Sequence, residues 1–336
     1  MAIQLEARIE VAASFLPGKP VIMSFILANT GDEEAYVLTW YTPLEGLWSD
    51  CLQIMKNSKQ VEYDGPLAKR GRPGPEDYIL IPAGNAVRKD VDLISAYQVS
   101  EPGTYGVSVE SLIPGPISTT EFATLNRGAE LSGRRTEKLQ SAPAQFVVEE
   151  GSERRMTLGE TMREQVEETP PSMKLKAPLF NGGTAQQRAD VLRAHNDGYG
   201  LLSVALATLA DGPEYREWFG AHTITRFNKV RETFTSMKTL MDNRTFTYDL
   251  TGTGCRANTY GYTTKGGTTI WLCSLFWSAP STGVDSKAGT VVHEHSHASG
   301  STEDITYGQE LARELAASIP DQAVRNADNF EYYSGG

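Results

Sequence analysis

Gly289-Thr290-Val291-Val292-His293-Glu294-His295-Ser296-His297 is the stretch from which the rest of the chain can be read. Positions four apart on a helix share a face, so His293 and His297 offer two imidazoles to one metal ion with Glu294 beside it. Catalytic zinc keeps three protein ligands and a position for water, and a neighbouring carboxylate serves as base. His293 and His297 are therefore candidate ligands of one Zn2+ per chain, and Glu294 is the candidate base. His295 projects off that face and reads as a solvent-facing or supporting residue. Downstream, the turn Ala298-Ser299-Gly300-Ser301 lets the chain reverse and bring Asp304 back as third ligand, with Tyr307 within reach of a developing oxyanion.

Ser301-Thr302-Glu303-Asp304-Ile305-Thr306-Tyr307-Gly308, taken with His293-Glu294-His295-Ser296-His297, resembles the signature of the aspzincin (deuterolysin) metallopeptidases. That signature is His-Glu-x-x-His followed by Gly-Thr-x-Asp-x-x-Tyr-Gly. The resemblance implies that Asp304 is the third zinc ligand and that Tyr307 assists the tetrahedral intermediate. Ser301 stands where the family has its first Gly, and the loop from His297 to Asp304 is slightly short. The similarity runs through residues 174–336 and is greatest to the peptidyl-Lys metalloendopeptidase branch. It is carried by Asn181-Gly182, Trp218-Phe219-Gly220, Leu272-Cys273-Ser274-Leu275-Phe276-Trp277-Ser278-Ala279-Pro280, Gly289-Thr290 and Asn326-Ala327-Asp328-Asn329-Phe330-Glu331-Tyr332-Tyr333. In that branch, positions matching Asp328 and Glu331 line the pocket for the residue just after the scissile bond, which implies cleavage on the N-terminal side of Lys. Relatives also carry an early disulfide at places corresponding to Gly183 and about Leu250. Both partners are missing together here, at a cost of about 2–4 kcal/mol.

With 336 residues, 40% hydrophobic and 22% charged, the chain is long enough for two domains with separate cores. A formal net charge of −11 argues against nucleic acid and anionic membrane as partners and favours basic protein or peptide substrates. No run of 18 apolar residues predicts a membrane span. The first residues, Met1-Ala2-Ile3-Gln4-Leu5-Glu6-Ala7-Arg8, show no signal-peptide core, so the secretion implied by the resemblance requires a removed export signal or a signal-independent route. Cys255 and Cys273 flank an apparent hairpin turning at Lys265-Gly266-Gly267 and make a plausible disulfide, which leaves Cys51 as a buried free thiol.

Taken in order, residues 1–148 alternate apolar and polar side chains, as in Ile3-Leu5-Ala7-Ile9-Val11, between turns such as Asn29-Thr30-Gly31-Asp32 and Pro82-Ala83-Gly84-Asn85. The expectation is an all-β antiparallel sandwich. It carries no visible catalytic constellation and looks like the pro-region found in front of some deuterolysin-type peptidases. An accessory binding module is the other reading. Residues 149–173 are acidic, end in Thr169-Pro170-Pro171, and predict an exposed linker with a short helix. Lys174 and Lys176 follow it directly, so an enzyme that cuts before Lys finds two self-processing sites there; Arg154-Arg155 offers a host protease another. Residues 174–336 predict an α+β, helix-rich zincin-like catalytic domain, with helices over 184–209 (interrupted at Gly198-Tyr199-Gly200), 223–241 and 307–318. His195 and His222 read as surface or core histidines. The whole predicts a zinc endopeptidase made as a proenzyme, with the N-terminal domain as intramolecular inhibitor. The alternative is a non-catalytic binding or toxin-like protein with a structural metal site.

Overall fold

Along the strand Gly103–Pro114, Tyr105, Val107 and Val109 are buried while the residues between them are not, the period-two pattern of a half-buried strand. The computed structural model describes residues 3–128, 136–164 and 174–335. Gly103–Pro114 is the spine of a sheet that takes Leu52–Lys56 on one edge and Ala144–Val148 on the other, both antiparallel, and pairs farther along with Thr136–Gln140. A second sheet joins Leu5–Val11, Ile22–Asn29 and Ala86–Asp92, and a two-stranded pair joins Ala35–Leu38 to Tyr78–Ile81. One pairing departs from the antiparallel expectation: Ser14–Phe15 runs parallel to Ala144–Val148. The chain leaves Leu5–Val11 and reaches an edge of the other sheet within three residues, so its direction there is set by the crossing and not by a hairpin.

By its contacts the chain divides into two compact units, one of Met1–Pro66 with Pro73–Thr161 and one of Leu67–Arg72 with Met162–Gly336. The division differs from the boundaries expected at 148 and 174 in two places. First, the start of the acidic stretch belongs to the β-rich unit. Its composition hides the reason, which is hydrogen bonding: Arg155 O accepts from Ser100, Arg155 reaches Asp92 at 2.6 Å, and Gly159 N–H donates to Asp64 O. The helix Leu158–Glu164 follows; residues 165–173 lie outside the described residues. Second, Leu67–Arg72 is part of the other unit.

That second unit has a five-stranded sheet in the order Leu179–Asn181, Thr247–Asp249, Thr269–Leu272, Thr259–Thr263, Leu67–Arg70. The first three are parallel and the last two join antiparallel. Thr184 and Gln187 form a capping box at the start of helix Ala185–Thr208, which runs unbroken through Gly198. Gly198 is a packing residue, not an interruption: a Cβ there would lie 2.8 Å from Val291 Cγ1 and 3.1 Å from Ala288 O. Its bareness lets this long helix approach helix Lys287–Ala298, which carries the histidines. Val191, Leu202, Phe234, Met237, Tyr248, Ile270, Val291 and Phe330 share the surrounding core. Among the described residues no helix is long and apolar enough to cross a membrane.

Candidate metal centre and the acidic pocket beside it

Helix Lys287–Ala298 begins at Ser286, whose hydroxyl accepts from Gly289 N–H, and is buried from Ala288 to its last residue. Burying a helix that contains three histidines and a glutamate is costly unless each polar group is answered. His293 Nε2 and His297 Nε2 stand 3.0 Å apart, and each lies 3.1 Å from Asp304 Oδ1. On their far sides, His297 Nδ1 faces the Thr302 carbonyl and hydroxyl at 3.3 and 3.0 Å, while His293 Nδ1 is 2.9 Å from Asp328 Oδ1. With the ring protons on Nδ1, the tautomer that metal ligation needs, the Nε2 lone pairs face each other and a carboxylate oxygen. Three acceptors so arranged suit a shared cation. Zinc ligands at ~2.0–2.1 Å in a tetrahedron lie about 3.3 Å apart, so this donor set fits zinc in both spacing and chemistry.

Asp304 reaches the histidines because its loop is tied to the segment before the C-terminal helix Ala327–Tyr333. Asn326 Oδ1 accepts from the Ile305 and Thr306 N–H groups, and the Glu303 backbone pairs with Arg325 and Ala327. The shortness of the loop is thereby accommodated without moving the carboxylate. Glu294 is fully buried and burial pushes its carboxyl up to about 8. Tyr307 is half-buried on the same loop, next to Gly308, whose N–H donates to Asp328 Oδ2.

Asp328 and Glu331, one turn apart on Ala327–Tyr333, are 1% and 0% exposed. Lys69 fills the space between them. Its side chain is fully buried, with Nζ 2.7 Å from Glu331 Oε2, 4.0 Å from Asp328 Oδ1, and donating at 2.9 Å to Asp285 Oδ1. The rings of Tyr260 and Tyr332 flank the ammonium at 5.0 and 5.7 Å, and the Tyr332 hydroxyl lies 3.1 Å from Asp285 and 3.2 Å from Asp328. Burial disfavours this charge, yet Glu331, Asp328 and Asp285 together hold the Lys69 ammonium well above the ordinary lysine range.

The strand that carries Lys69 also touches the metal-site residues. Ala68 N–H donates to Asp304 Oδ2 at 2.7 Å and Lys69 N–H to Glu294 Oε1 at 3.2 Å. Two members of this site were not visible in the sequence. Asp285 has no spacing relation to Asp328, and Lys69 lies in a region that showed no catalytic constellation. The faint signal for Lys69 is its setting, Gly65-Pro66 before it and Gly71-Arg72-Pro73 after, which isolates a short extended segment.

The remaining candidates lie apart from the His293, His297 and Asp304 cluster. His295 is not solvent-facing: it is fully buried, its Nδ1 donates to Val291 O, and its ring lies 4.3 Å from Phe246. Burial and the nearby His195 push it down to about 3, so it is a neutral core residue. His195 is likewise in the core, between the Tyr248 hydroxyl and Lys176 O, and His222 is partly exposed near Asp211. Cys255 and Cys273 are bridged, and Cys51 is a buried free thiol. Lys174 is exposed, whereas Lys176 is held by its N–H to Met241 O and its carbonyl to His195. A Cβ on Gly183 would lie 2.4 Å from Leu250 Cδ1 and 3.0 Å from its Cβ, so Leu250 fills the space a bridge between these positions would take.

Comparison with known proteins gives a consistent result. The aspzincin family model, described as lysine-specific metallo-endopeptidase, matches residues 205–335. An extracellular protease of Aeromonas hydrophila is 30% identical over 321 residues, covering 94% of this chain and 87% of that protein. A peptidyl-Lys metalloendopeptidase of Grifola frondosa is 38% identical over 161 residues, 46% of each chain. A solved zinc peptidase from Grifola frondosa is 36% identical, covering 46% of this chain and 96% of that one, with a TM-score of 0.43.

Proposed function

This chain belongs to the aspzincin family of zinc metalloendopeptidases, and within it we propose a secreted endopeptidase made as a proenzyme, with Glu294 as general base and cleavage on the N-terminal side of Lys. The observation that carries the reading is the convergence of His293 Nε2, His297 Nε2 and Asp304 Oδ1 within 3.0–3.1 Å beside Glu294. His293, His297 and Asp304 would hold one zinc, which when bound supplies Lewis-acid activation of water and of a peptide carbonyl. Glu294 takes the proton from the attacking water and passes it to the leaving amine. Thr302 and Asp328 keep the two imidazoles in the tautomer that leaves Nε2 unprotonated. Tyr307 donates to the oxyanion of the tetrahedral intermediate.

Lys specificity draws support from Asp328 and Glu331, which together form a buried anionic pocket on the far side of His293. A buried carboxylate pair of this kind favours a cationic occupant over an apolar one. The relatives named for peptidyl-Lys activity support the same preference, and the name of the Aeromonas relative supports secretion. For activation, Lys174 is the favoured processing site, because Lys176 is tied into the fold through its own backbone. The alternative of a structural metal site calls for a closed fourth ligand, and among the described residues the cluster has three.

The test is cleavage of casein and of a peptide library by zinc-loaded protein, with and without chelator, with new N-termini read by mass spectrometry. Zinc-dependent products that begin with Lys are expected. Products without Lys at their new N-termini would remove the specificity reading, and a zinc-bound, processed protein that cuts nothing would remove the peptidase reading.

A further inference from the structure

Lys69 is a buried cation more than two hundred residues away in sequence from every carboxylate that it meets, and its own strand is an edge strand. Leu67–Arg70 adds antiparallel to Thr259–Thr263, pairing Lys69 with Gly261 and Ala68 with Tyr262. An extended peptide that binds an enzyme by strand addition makes the same main-chain pairing and places alternate side chains in pockets. Gly261 of that neighbouring strand lies beside the base: a Cβ there would lie 3.4 Å from Glu294 Oε1. The strand's backbone is engaged at the catalytic groups as well, through Ala68 N–H to Asp304 and Lys69 N–H to Glu294. Taken as a bound peptide, it therefore has Lys69 just after a bond, Ala68–Lys69, whose nitrogen faces the base.

We propose that Leu67–Arg70 is a built-in substrate mimic that holds the precursor latent by seating Lys69 in the lysine pocket, and that Asp285 is the third carboxylate of that pocket and a specificity-determining residue. This rests on the metallopeptidase reading above and names its regulation. The ammonium presents three N–H donors, and Asp285, Glu331 and Asp328 stand at 2.9, 2.7 and 4.0 Å from it. Asp328 and Glu331 form the closed floor. Asp285, whose side chain is 40% exposed, forms the mouth and is positioned by the Tyr332 hydroxyl. Its backbone sits at φ 52, immediately before the Ser286 cap. A segment seated this way excludes a substrate lysine by occupying its site, and it engages the Glu294 oxygen that must accept a proton. Processing makes the segment a separate chain, and release then requires that Leu67–Arg70 leave the sheet edge.

The test uses the zinc-loaded full chain as wild type, Lys69→Ala and Asp285→Asn, assayed with a quenched fluorescent peptide containing one Lys while intact mass is followed. Uncleaved wild type should show a lag that ends with processing, and uncleaved Lys69→Ala should turn over the peptide at least about tenfold faster from the first time point. Asp285→Asn should shorten the lag and, after processing, raise KM for the Lys peptide severalfold with kcat little changed. A Lys69→Ala chain that lags like wild type, while processed wild type cuts before Lys, overturns the mimic and leaves the peptidase reading standing. Unchanged KM and lag in Asp285→Asn remove Asp285 from the pocket. Should Lys69→Ala not fold, a synthetic peptide of residues 66–73 should compete with substrate for processed wild type at least about tenfold better than its Lys69→Ala version. Equal competition by the two peptides also overturns the proposal.

Discussion

Two clusters of buried acidic and basic groups meet at one imidazole. On the Nε2 side of His293 are His297 and Asp304; on the Nδ1 side are Asp328 and Glu331, and each trio has ligand atoms close enough to hold a metal ion. Their surroundings assign them different cations. The first has two imidazole nitrogens and one carboxylate oxygen in a spacing that suits zinc. The second has three carboxylates counting Asp285, two tyrosine rings, and depth enough for a four-carbon stem, and it holds an ammonium. Similar residue types at similar helical spacing thus suit a metal ion or an ammonium according to ligand softness and the shape of the walls.

The sharpest way to break that distinction is Glu294→Gln, which alters neither set of cation-binding atoms. Turnover should fall by about 10²–10⁴-fold while zinc stays at one per chain by elemental analysis. Retention of more than a tenth of the activity would show that the base lies elsewhere. Asp328 lines the lysine pocket and lies 2.9 Å from Nδ1 of the shared His293, so Asp328→Asn should weaken zinc by about 10–100-fold through His293 and weaken Lys peptides as well. Glu331 Oε2 is farther from His293 Nδ1, at 3.6 Å against 2.9 Å, so Glu331→Gln should raise KM for Lys with a smaller change in zinc affinity. Parallel zinc titrations and peptide kinetics on both variants check this, and equal zinc losses would merge the two sites into one.

A smaller effect is expected at the helix contact behind the metal centre. Gly198→Ala drives a methyl group toward Val291 and the Ala288 carbonyl and should cost about 1–3 kcal/mol in denaturant unfolding. Zinc affinity should drop with it if Lys287–Ala298 shifts, while Lys selectivity per bound zinc should hold. Smallest is the pair Gly183→Cys with Leu250→Cys. The left-handed backbone at Gly183, φ +74, opposes part of the gain, so a formed bridge should add only about 1–2 kcal/mol. It should leave both sites unchanged, and altered zinc or Lys binding in that variant would mean the sites sense the far edge of the sheet.

What could be read from the sequence was local. Two histidines four apart on a helix share a face whatever the rest of the chain does, and Cys255 and Cys273 lie 18 residues apart around one hairpin. The two-residue rhythm of strands such as Gly103–Pro114 is similarly a property of neighbours. Asp304, Tyr307, Asp328 and Glu331 became candidates through motif and resemblance more than through physics. Where composition stood in for contacts it misled: the acidic stretch after 148 looked unable to fold, yet its first half is bonded to Asp64, Asp92 and Ser100. Gly198 looked like a break in a helix and is a helix crossing.

The tertiary structure alone decided what lies opposite those local motifs. Lys69 and Glu331 are separated by most of the chain, and no period or spacing relates them; they meet because an edge strand is completed by Leu67–Arg70, far before the boundary expected at 148. Asp285 belongs to the pocket through a left-handed turn and a tyrosine hydroxyl, neither of which has a sequence period. The sequence by itself determined that a helix presents two imidazoles on one face and which atoms it offers, because a helix fixes geometry over four residues. Which cation each side of His293 receives was decided by long-range packing, because charge balance inside a protein is set by everything that is brought close and not by what is adjacent in the chain.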